Sequence, residues 1–467
     1  MDAKFKKLLN NTLVYAIGNM GSKLLTFALI PLYSFYLSKE DFGYYDIVVT
    51  TITLLVPLLN LQISDAIFRW LIDHKLDESK EQQKVIITNG LIVGLIALSI
   101  IIIAYLALLF IHPIPFQTPV FIFLAASIFY PILQQTIRGL GNNKLFAASG
   151  IIYSATLLIG TLIFVVTFEY KVIGLIASSS IALIVSSLFL TIKSKLTQYF
   201  QWPYFDRSKI KELLSYSWPL IPNTISWWLV NSANKYIILF YLGTEANGLY
   251  GLANRFPGLL VMVNSIFMLA WQESAIENNN DKAKSAYFSK VFKVLLWGQL
   301  TFASILALCS EFITSSIIAP EYYWAWKFMP ILFFSVAFST LSGFFGTFYL
   351  SYKATKSALF TSMIAAIINV TLCFIFIQQF NLIAVAFSTF FGYFALFIIR
   401  TVHTRKFVKL NYELKDILLI SLIVLSSFYF SFVESNLTKL ILIIIIVSIA
   451  ILGNYKSIFE LIKNRKF

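Results

Sequence analysis

The run Leu440-Ile441-Leu442-Ile443-Ile444-Ile445-Ile446-Val447 decides the class of fold, because it lacks the alternation of a half-exposed strand. Apolar runs recur along the 467 residues: hydrophobic residues make up 58%, charged residues 12%, and the mean hydropathy is +0.79. A helix that crosses a bilayer needs about 20 mostly apolar residues, whereas the strands of a membrane barrel alternate in polarity. The sequence therefore predicts an all-α polytopic membrane protein.

Fourteen windows have the length and composition of a membrane-spanning helix. They cover residues 9–37, 44–70, 85–111, 117–138, 145–168, 172–192, 217–242, 247–271, 292–318, 328–350, 357–378, 382–402, 416–433 and 437–454. Because the number of windows is even, the N-terminus and the C-terminus are expected on the same side of the membrane.

The distribution of basic residues assigns both termini to the cytoplasm. Of the 36 Lys and Arg residues, 28 fall in segments on the side of the termini and four within the windows. The opposite side holds only Lys39, Lys171, Lys327 and Lys439. This asymmetry follows the positive-inside rule. The net charge of +14 therefore reflects membrane topology, and no nucleic-acid partner is expected.

An internal repeat divides the chain. Residues 35–46 (FYLSKEDFGYYD) and residues 240–251 (FYLGTEANGLYG) match at six positions with an offset of 205. Six spans separate the copies, so the two halves are predicted to be parallel repeats that rock against each other around a substrate. Chance similarity is the alternative, because aromatic residues favour membrane edges. We predict six-helix halves at 1–195 and 208–405, and an additional helix pair with a cytoplasmic tail at 415–467.

Four basic residues lie inside the apolar windows: Lys23, Arg69, Lys235 and Arg255. A charge at the centre of a bilayer costs about 2.5–3.5 kcal/mol on insertion scales, so each needs a physical explanation. A wet cavity between helices that receives an anion is one explanation, since Arg and Lys both bind phosphate well. The four residues are therefore candidate substrate-binding residues.

Simpler explanations exist for three of the four. Arg69 follows Asp65 by four residues and can form an ion pair with it on one helix face. Lys235 and Arg255 lie nearer the outer ends of their windows and can extend to the membrane surface. Lys23 lies near the middle of its window, with no acidic residue within a helical turn. It is therefore the strongest cavity candidate. Supporting polar residues of the predicted cavity are Asn19, Asp65, Asn231 and Asn234.

The sequence shows no pattern for a metal or a cofactor. Cys309 and Cys373 lie in apolar windows without a neighbouring Cys or His cluster. Asp46, Glu273 and Glu311 lie near window ends, where solvated carboxylates are ordinary. No cofactor is expected, and the residues leave open whether H⁺ or Na⁺ is a coupling ion.

Three segments carry a family resemblance: residues 15–23 (YAIGNMGSK), residues 36–44 (YLSKEDFGY) and residues 217–222 (SWPLIP). Together with the 6+6+2 layout, they resemble polysaccharide flippases of the Wzx type, which handle O-antigen or capsule repeat units. These flippases belong to the multidrug/oligosaccharidyl-lipid/polysaccharide exporter superfamily, abbreviated MOP. The resemblance covers essentially the whole chain.

The resemblance implies translocation of an undecaprenyl-diphosphate-linked oligosaccharide from the cytoplasmic to the outer leaflet of the bacterial inner membrane, by alternating access. It also implies that Lys23 and Arg255 meet the diphosphate, and that membrane lipids, a polysaccharide polymerase and other assembly proteins are partners. A lipid II flippase and a multidrug exporter of the MATE kind are the alternatives. A membrane enzyme is not expected, because no sizeable outer loop carries acidic or His chemistry.

Overall fold

The structure, a computed structural model, describes residues 21–73, 80–111, 113–277, 284–352, 354–411, 413–433 and 435–463. The chain divides into two compact units; the first ends at Trp228 and the second begins at Leu229. This division falls inside one helix, Ile221–Ala253. The segmentation into 1–195, 208–405 and 415–467 stays a prediction.

The first unit consists of helices joined by short turns. Residues 21–27 are helical. They are followed by α1 (Leu29–Tyr36), α2 (Lys39–Leu59), α3 (Ile63–Asp73), α4 (Lys80–Ile111), α5 (Gln117–Gly139), α6 (Asn143–Thr161), α7 (Lys171–Lys193) and α8 (Arg207–Ser217). Ser38 caps α2 and Asn142 caps α6, each through a side-chain oxygen that accepts a backbone N–H of the first turn.

The second unit is also helical throughout its regular elements. It contains most of α9 (Ile221–Ala253), followed by α10 (Gly258–Glu277), α11 (Lys284–Leu308), α12 (Ser310–Ile317), α13 (Met329–Ser351), α14 (Thr355–His403), α15 (Leu414–Ser431) and α16 (Asn436–Lys463). Helix α9 is interrupted at Gly243 (φ 84°) and α14 at Asn381 (φ 49°). Glycine and asparagine are the residues that adopt this left-handed conformation most readily.

Ten helices within the described parts of the chain are long and apolar enough to cross a membrane. Together with the helical fold, they confirm the prediction of an all-α multi-pass membrane protein. One of the ten, Lys356–Lys406, covers 51 residues and contains the break at Asn381. That break separates the windows predicted at 357–378 and 382–402. The count of fourteen spans stays a prediction.

Two of the predicted windows are broken in the structure by turns of three or more residues. In window 44–70, α2 ends at Leu59, and Leu61 and Gln62 adopt positive φ angles of 51° and 57°. In window 247–271, a turn over residues 254–257 separates α9 from α10. Prolines contribute to both interruptions: Pro57 lies in the last turn of α2, and Pro257 lies in the turn itself. Proline cannot donate the backbone hydrogen bond that continues a helix.

The two copies of the repeat have matching surroundings. The Tyr45 hydroxyl lies 2.8 Å from Ser179 Oγ on α7, and the Tyr250 hydroxyl lies 3.4 Å from Thr389 Oγ1 on α14. The offset of 205 also aligns Ser38, the cap of α2, with Gly243, the interruption of α9. Two copies of one helical unit would produce this match.

The connection after α7 is strapped to α4 by two consecutive polar side chains. Thr88 Oγ1 donates to the Tyr199 carbonyl at 3.0 Å, and Asn89 Nδ2 donates to the Tyr204 carbonyl at 2.9 Å. Asn89 Oδ1 also accepts from the backbone N–H of Asp206 at 2.9 Å. Both side chains are fully buried. They therefore replace the solvent hydrogen bonds that a free loop would make.

Replacing Asn89 by Ala should loosen this connection, because the Tyr204 carbonyl and the Asp206 N–H lose their partner at about 1–3 kcal/mol each. Limited trypsin digestion checks this, since basic residues flank the strapped segment. Cleavage between α7 and α8 should accelerate at least fivefold. Ser99→Ala is the control, because the Ser99 hydroxyl donates only to its own helix at Leu95. Equal digestion of the two variants would show that the strap does not hold the connection.

Three ion pairs, made by two lysines, attach the C-terminal helices to α11 and α12. Lys293 bonds to Asp416 at 2.8 Å and to Glu413 at 3.3 Å, at the start of α15. Lys439 on α16 bonds to Glu311 on α12 at 2.7 Å. The additional helix pair is therefore held by charge as well as by apolar packing.

The expectation that Glu311 is simply solvated and that Lys439 lies in an outer loop is wrong. Lys439 is 5% exposed, and Tyr323 also donates to Glu311 at 2.8 Å. Burial alone would raise the pKa of Glu311, but hydrogen bonds from Lys439 and Tyr323 outweigh it and lower that pKa. Glu311 is therefore ionised at neutral pH.

Candidate functional site

Lys23 lies on the first helix, beside a contact made by small residues. A Cβ on Gly21 would stand 3.8 Å from the Ile151 side chain, and one on Gly150 would stand 4.0 Å from Ser22 Cβ. Small residues let two membrane helices approach closely. Lys23 is half-buried beside this contact, and its ammonium group makes no hydrogen bond or ion pair with another described residue. Asn19 lies outside the described residues.

Arg69 and Asp65 are on α3 but do not pair with each other. The charged group that acts on Asp65 is Arg138, at the end of α5. The Arg138 guanidinium lies 4.4 Å from the centre of the Phe68 ring, so this arginine packs against the face of α3. Arg69 is exposed and Asp65 is half-buried. The i, i+4 ion pair is therefore not the explanation for Arg69, because a residue from another helix takes that role.

Lys235 and Arg255 belong to the second unit and are both half-buried. Lys235 lies within α9. Arg255 lies in the turn between α9 and α10, where its N–H donates to the Leu252 carbonyl at 3.0 Å. Its own carbonyl accepts from Gly258 at 3.1 Å. Irregular backbone at membrane depth is tolerated where it is packed in protein or lines a water-filled cavity. Arg255 is thus placed on an interruption and not within a continuous helix.

Next to Lys235, Asn234 anchors a buried polar network. Its Nδ2 donates to Asn369 Oδ1 at 3.0 Å and to Thr389 Oγ1 at 2.9 Å, both on α14. Asn369 Nδ2 in turn donates to the Val230 carbonyl at 3.0 Å. Asn231, one turn earlier on α9, is exposed and accepts a hydrogen bond from Tyr393. Of the two asparagines predicted to line a cavity, the structure places Asn231 at the surface of this unit and Asn234 in its interior.

Several polar residues of this network could not be found from the sequence. Asn369, Thr389 and Tyr393 follow their hydrogen-bond partners on α9 by more than 130 positions, and they lie in apolar windows without a local motif. Similarly, Gln62 Nε2 donates to Thr224 Oγ1 at 2.5 Å across 162 positions within the first unit. Only the folded chain brings these pairs together.

Arg400 is a buried cation that the sequence placed in the wrong environment. The sequence counts it, at the end of window 382–402, with the cytoplasmic segment 400–415, but it is 3% exposed within α14. Its guanidinium donates to the Ser342 carbonyl at 3.1 Å, to Thr361 at 3.3 Å and to Ser362 at 3.0 Å. Oxygen acceptors of neutral groups thus surround the charge.

Asp46 also departs from expectation. A solvated carboxylate was predicted near a window end, but Asp46 is 2% exposed within α2. The helix begins at Lys39, and about two turns later the Asp46 side chain faces the interior of the unit. Glu273 belongs to α10, and its side chain lies outside the described part of the chain.

The predicted site residues therefore divide between the units: Lys23, Asp65 and Arg69 in the first, and Asn231, Asn234, Lys235 and Arg255 in the second. Their joint action on one anion stays a prediction. Within the described residues, no group of three or more His, Cys, Asp or Glu side chains could hold a metal ion.

The fold is shared with solved membrane transporters. A lipid II flippase, MurJ in an inward closed conformation, aligns with a TM-score of 0.72 over 97% of this chain and 100% of its own, at 16% identity. An inward-facing multidrug resistance MATE family transporter of the MOP superfamily aligns with a TM-score of 0.66 over 87% of this chain and 98% of its own, at 14% identity. These likenesses confirm the predicted fold class.

Sequence comparison identifies the family. A protein of the Lsg locus of Haemophilus influenzae is 25% identical over 281 residues, 58% of this chain and 65% of that protein. The match thus spans less than two thirds of the relative. The family model described as polysaccharide biosynthesis protein matches residues 8–276, more than half of the chain. The predicted resemblance to a family of polysaccharide assembly is therefore confirmed. The chain belongs to the polysaccharide biosynthesis protein family.

Proposed function

We propose that the protein is a flippase that moves an undecaprenyl-diphosphate-linked oligosaccharide from the cytoplasmic to the outer leaflet of the bacterial inner membrane. The family match over residues 8–276 supports a role in polysaccharide assembly. The substrate of this proposal has three parts: a sugar, a diphosphate and a hydrocarbon chain. A transporter for it needs polar, cationic and apolar surfaces respectively.

The observation that carries the proposal is the environment of Lys23. A half-buried ammonium group with no acidic partner among the described residues bears an unbalanced charge within an apolar span. Such groups in membrane helices mark substrate or ion pathways. A diphosphate supplies the missing negative charge, and lysine binds phosphate as a point charge.

Arg255 is proposed as the second cationic contact of the substrate. It lies in the turn between α9 and α10, where backbone hydrogen bonds to Leu252 and Gly258 fix its position. Guanidinium groups bind phosphate through two parallel hydrogen bonds, which fixes orientation as well as charge. We therefore assign attraction of the diphosphate to Lys23 and its orientation to Arg255.

Alternating access is the proposed mechanism. The helices are interrupted after α2, at residues 60–62, and after α9, at residues 254–257. Breaks in transporter helices commonly lie near the substrate site, and the repeats move around that site. We propose that the two breaks act as hinges for this motion.

Reconstitution of the purified protein tests the proposal. Proteoliposomes should translocate undecaprenyl-diphosphate-linked oligosaccharide, measured as protection of the labelled glycan from an external glycosidase. Lipid II and a cationic drug serve as the rival substrates in matched vesicles. Transport of lipid II alone would assign the protein to peptidoglycan precursor export, and efflux of the drug alone would assign it to multidrug export.

A further inference from the structure

The first unit contains an apolar groove apart from the candidate site. It has a volume of about 540 Å³ and lies between α4, α5, α7 and the connection after α7. None of its lining residues is charged; they include Leu91, Ala126, Phe129, Leu188, Leu196 and Phe200. The volume is within the range of pockets that bind small molecules, about 300–1,000 Å³.

The groove opens on the outer surface of the helices that line it. Ile122, Ile184 and Leu188 line the groove and are each at least 41% exposed. Exposed isoleucine and leucine side chains on a membrane-spanning helix face lipid hydrocarbon. A chain from the surrounding bilayer can therefore enter sideways without crossing a polar surface.

Two exposed lysines adjoin the lining of one end of the groove along the sequence. Its lining ends at Thr191, Leu196 and Thr197, and the exposed lysines Lys193 and Lys195 lie between these residues. The positive-inside rule assigns this end of α7 to the cytoplasm. The other end, at Leu98 and Ile122, is apolar. This distribution of charge complements a molecule with an anionic head and a hydrocarbon tail.

The charged end is held in place by the strap on α4. Leu196 and Phe200, which close the groove, belong to the connection that Thr88 and Asn89 bind at Tyr199 and Tyr204. Leu196 also packs in a buried cluster with Leu133, Ile137 and Leu190. The groove is thus preformed, which reduces the entropic cost of binding.

We infer that the groove binds an anionic glycerophospholipid of the cytoplasmic leaflet. One acyl chain occupies the apolar part, and the phosphate lies against Lys193 and Lys195. Basic pockets between membrane helices on the cytoplasmic side recognise anionic head groups in this way. The lipid fastens α4, α5 and α7 to the connection that leads to α8.

Native mass spectrometry of the purified full chain tests the inference. Phosphatidylglycerol and phosphatidylcholine with identical acyl chains are offered in equal amounts, and the retained lipid is counted. The protein should retain one phosphatidylglycerol. The double variant K193Q/K195Q should retain it about 30-fold less well, as expected for two lysines near an anionic head group.

The control is Lys171→Gln. Lys171 is an exposed lysine at the opposite end of α7. Its φ angle is positive (45°), as is that of Lys195 (53°). Lys171→Gln should leave lipid retention unchanged. Ala126→Trp fills the groove and should abolish retention of phosphatidylglycerol. K193Q/K195Q leaves the groove unfilled and tests only the contribution of the head group.

Equal retention of phosphatidylcholine, or retention unaffected by the lysine substitutions, would overturn the assignment of an anionic lipid. A lipid-free dimer that Ala126→Trp dissociates would assign the groove to a second copy of the chain instead.

Discussion

Replacing Lys23 by Ala is expected to slow export of the lipid-linked oligosaccharide strongly while leaving the protein inserted in the membrane. Hydrogen bonds to charged groups contribute about 1.5–3 kcal/mol each, so loss of one should slow translocation by about 10- to 100-fold. Insertion should be unaffected or improved, because the substitution removes a charge from an apolar span. The measurement is the rate of glycan translocation in proteoliposomes, with protein content quantified in the same vesicles.

Arg255→Ala should have a similar effect if both residues contact the diphosphate. Lys171→Ala is the matched control, since it removes an exposed lysine of the same unit as Lys23 at the end of a spanning helix. Lys23→Arg keeps the charge and should retain part of the activity. Normal surface glycan in cells that carry only Lys23→Ala or Arg255→Ala would rule out a diphosphate contact at both positions.

Replacing Gly346 by Ala is expected to destabilise the second unit. A Cβ at this position would stand 2.6 Å from Nη1 of Arg400, far inside van der Waals contact. The guanidinium would have to leave the Ser342 carbonyl or the Ser362 hydroxyl, to which it now donates. Overpacking costs about 1–3 kcal/mol, and a displaced buried charge adds to that. The temperature at which the protein loses monodispersity in detergent should fall.

The matched control is Gly298→Ala on α11, where nothing lies within 4 Å of the new Cβ. There the substitution should be neutral or stabilising, because Ala favours a helix over Gly by about 1 kcal/mol.

A second substitution separates the proposed clash from a general effect of Ala on α13. Arg400→Met removes the guanidinium, and Thr361 and Ser362 keep their hydrogen bonds to the Ala358 carbonyl. The double variant G346A/R400M should therefore recover much of the stability that G346A loses, a non-additive result. Simple addition of the two single effects would show that Gly346 and Arg400 are not coupled.

The prediction of helices from the sequence succeeded where apolar composition is the deciding factor. A long apolar segment in a membrane must satisfy its backbone hydrogen bonds internally, so windows such as 85–111, 117–138 and 172–192 were located within a few residues of α4, α5 and α7. The predictions that failed concern interruptions. The turn at residues 60–62 depends on positive φ angles at Leu61 and Gln62, for which no residue type at those positions gives a signal.

Charges were predicted less reliably than helices, because the environment of a charge depends on residues distant in sequence. Arg400 and Lys439 were each assigned to a polar segment from their positions near window ends, and both are buried. Their acceptors are supplied by α13 and α14 for Arg400 and by α12 for Lys439. No local sequence pattern predicts such partners.

The sequence by itself determined that this is a helical membrane protein, since hydrophobicity is a property of the chain alone. The repeated segment and the charge asymmetry, which predict parallel halves and cytoplasmic termini, can also be read from the chain alone. The sequence also singled out Lys23 as a cation without an acidic neighbour along the helix. Only the tertiary structure decided which charges have partners. Asp65 interacts with Arg138 instead of Arg69, and Lys23 has no charged or hydrogen-bonding partner among the described residues. The physical reason is that pairing depends on distance in space, which helix packing sets and sequence spacing does not.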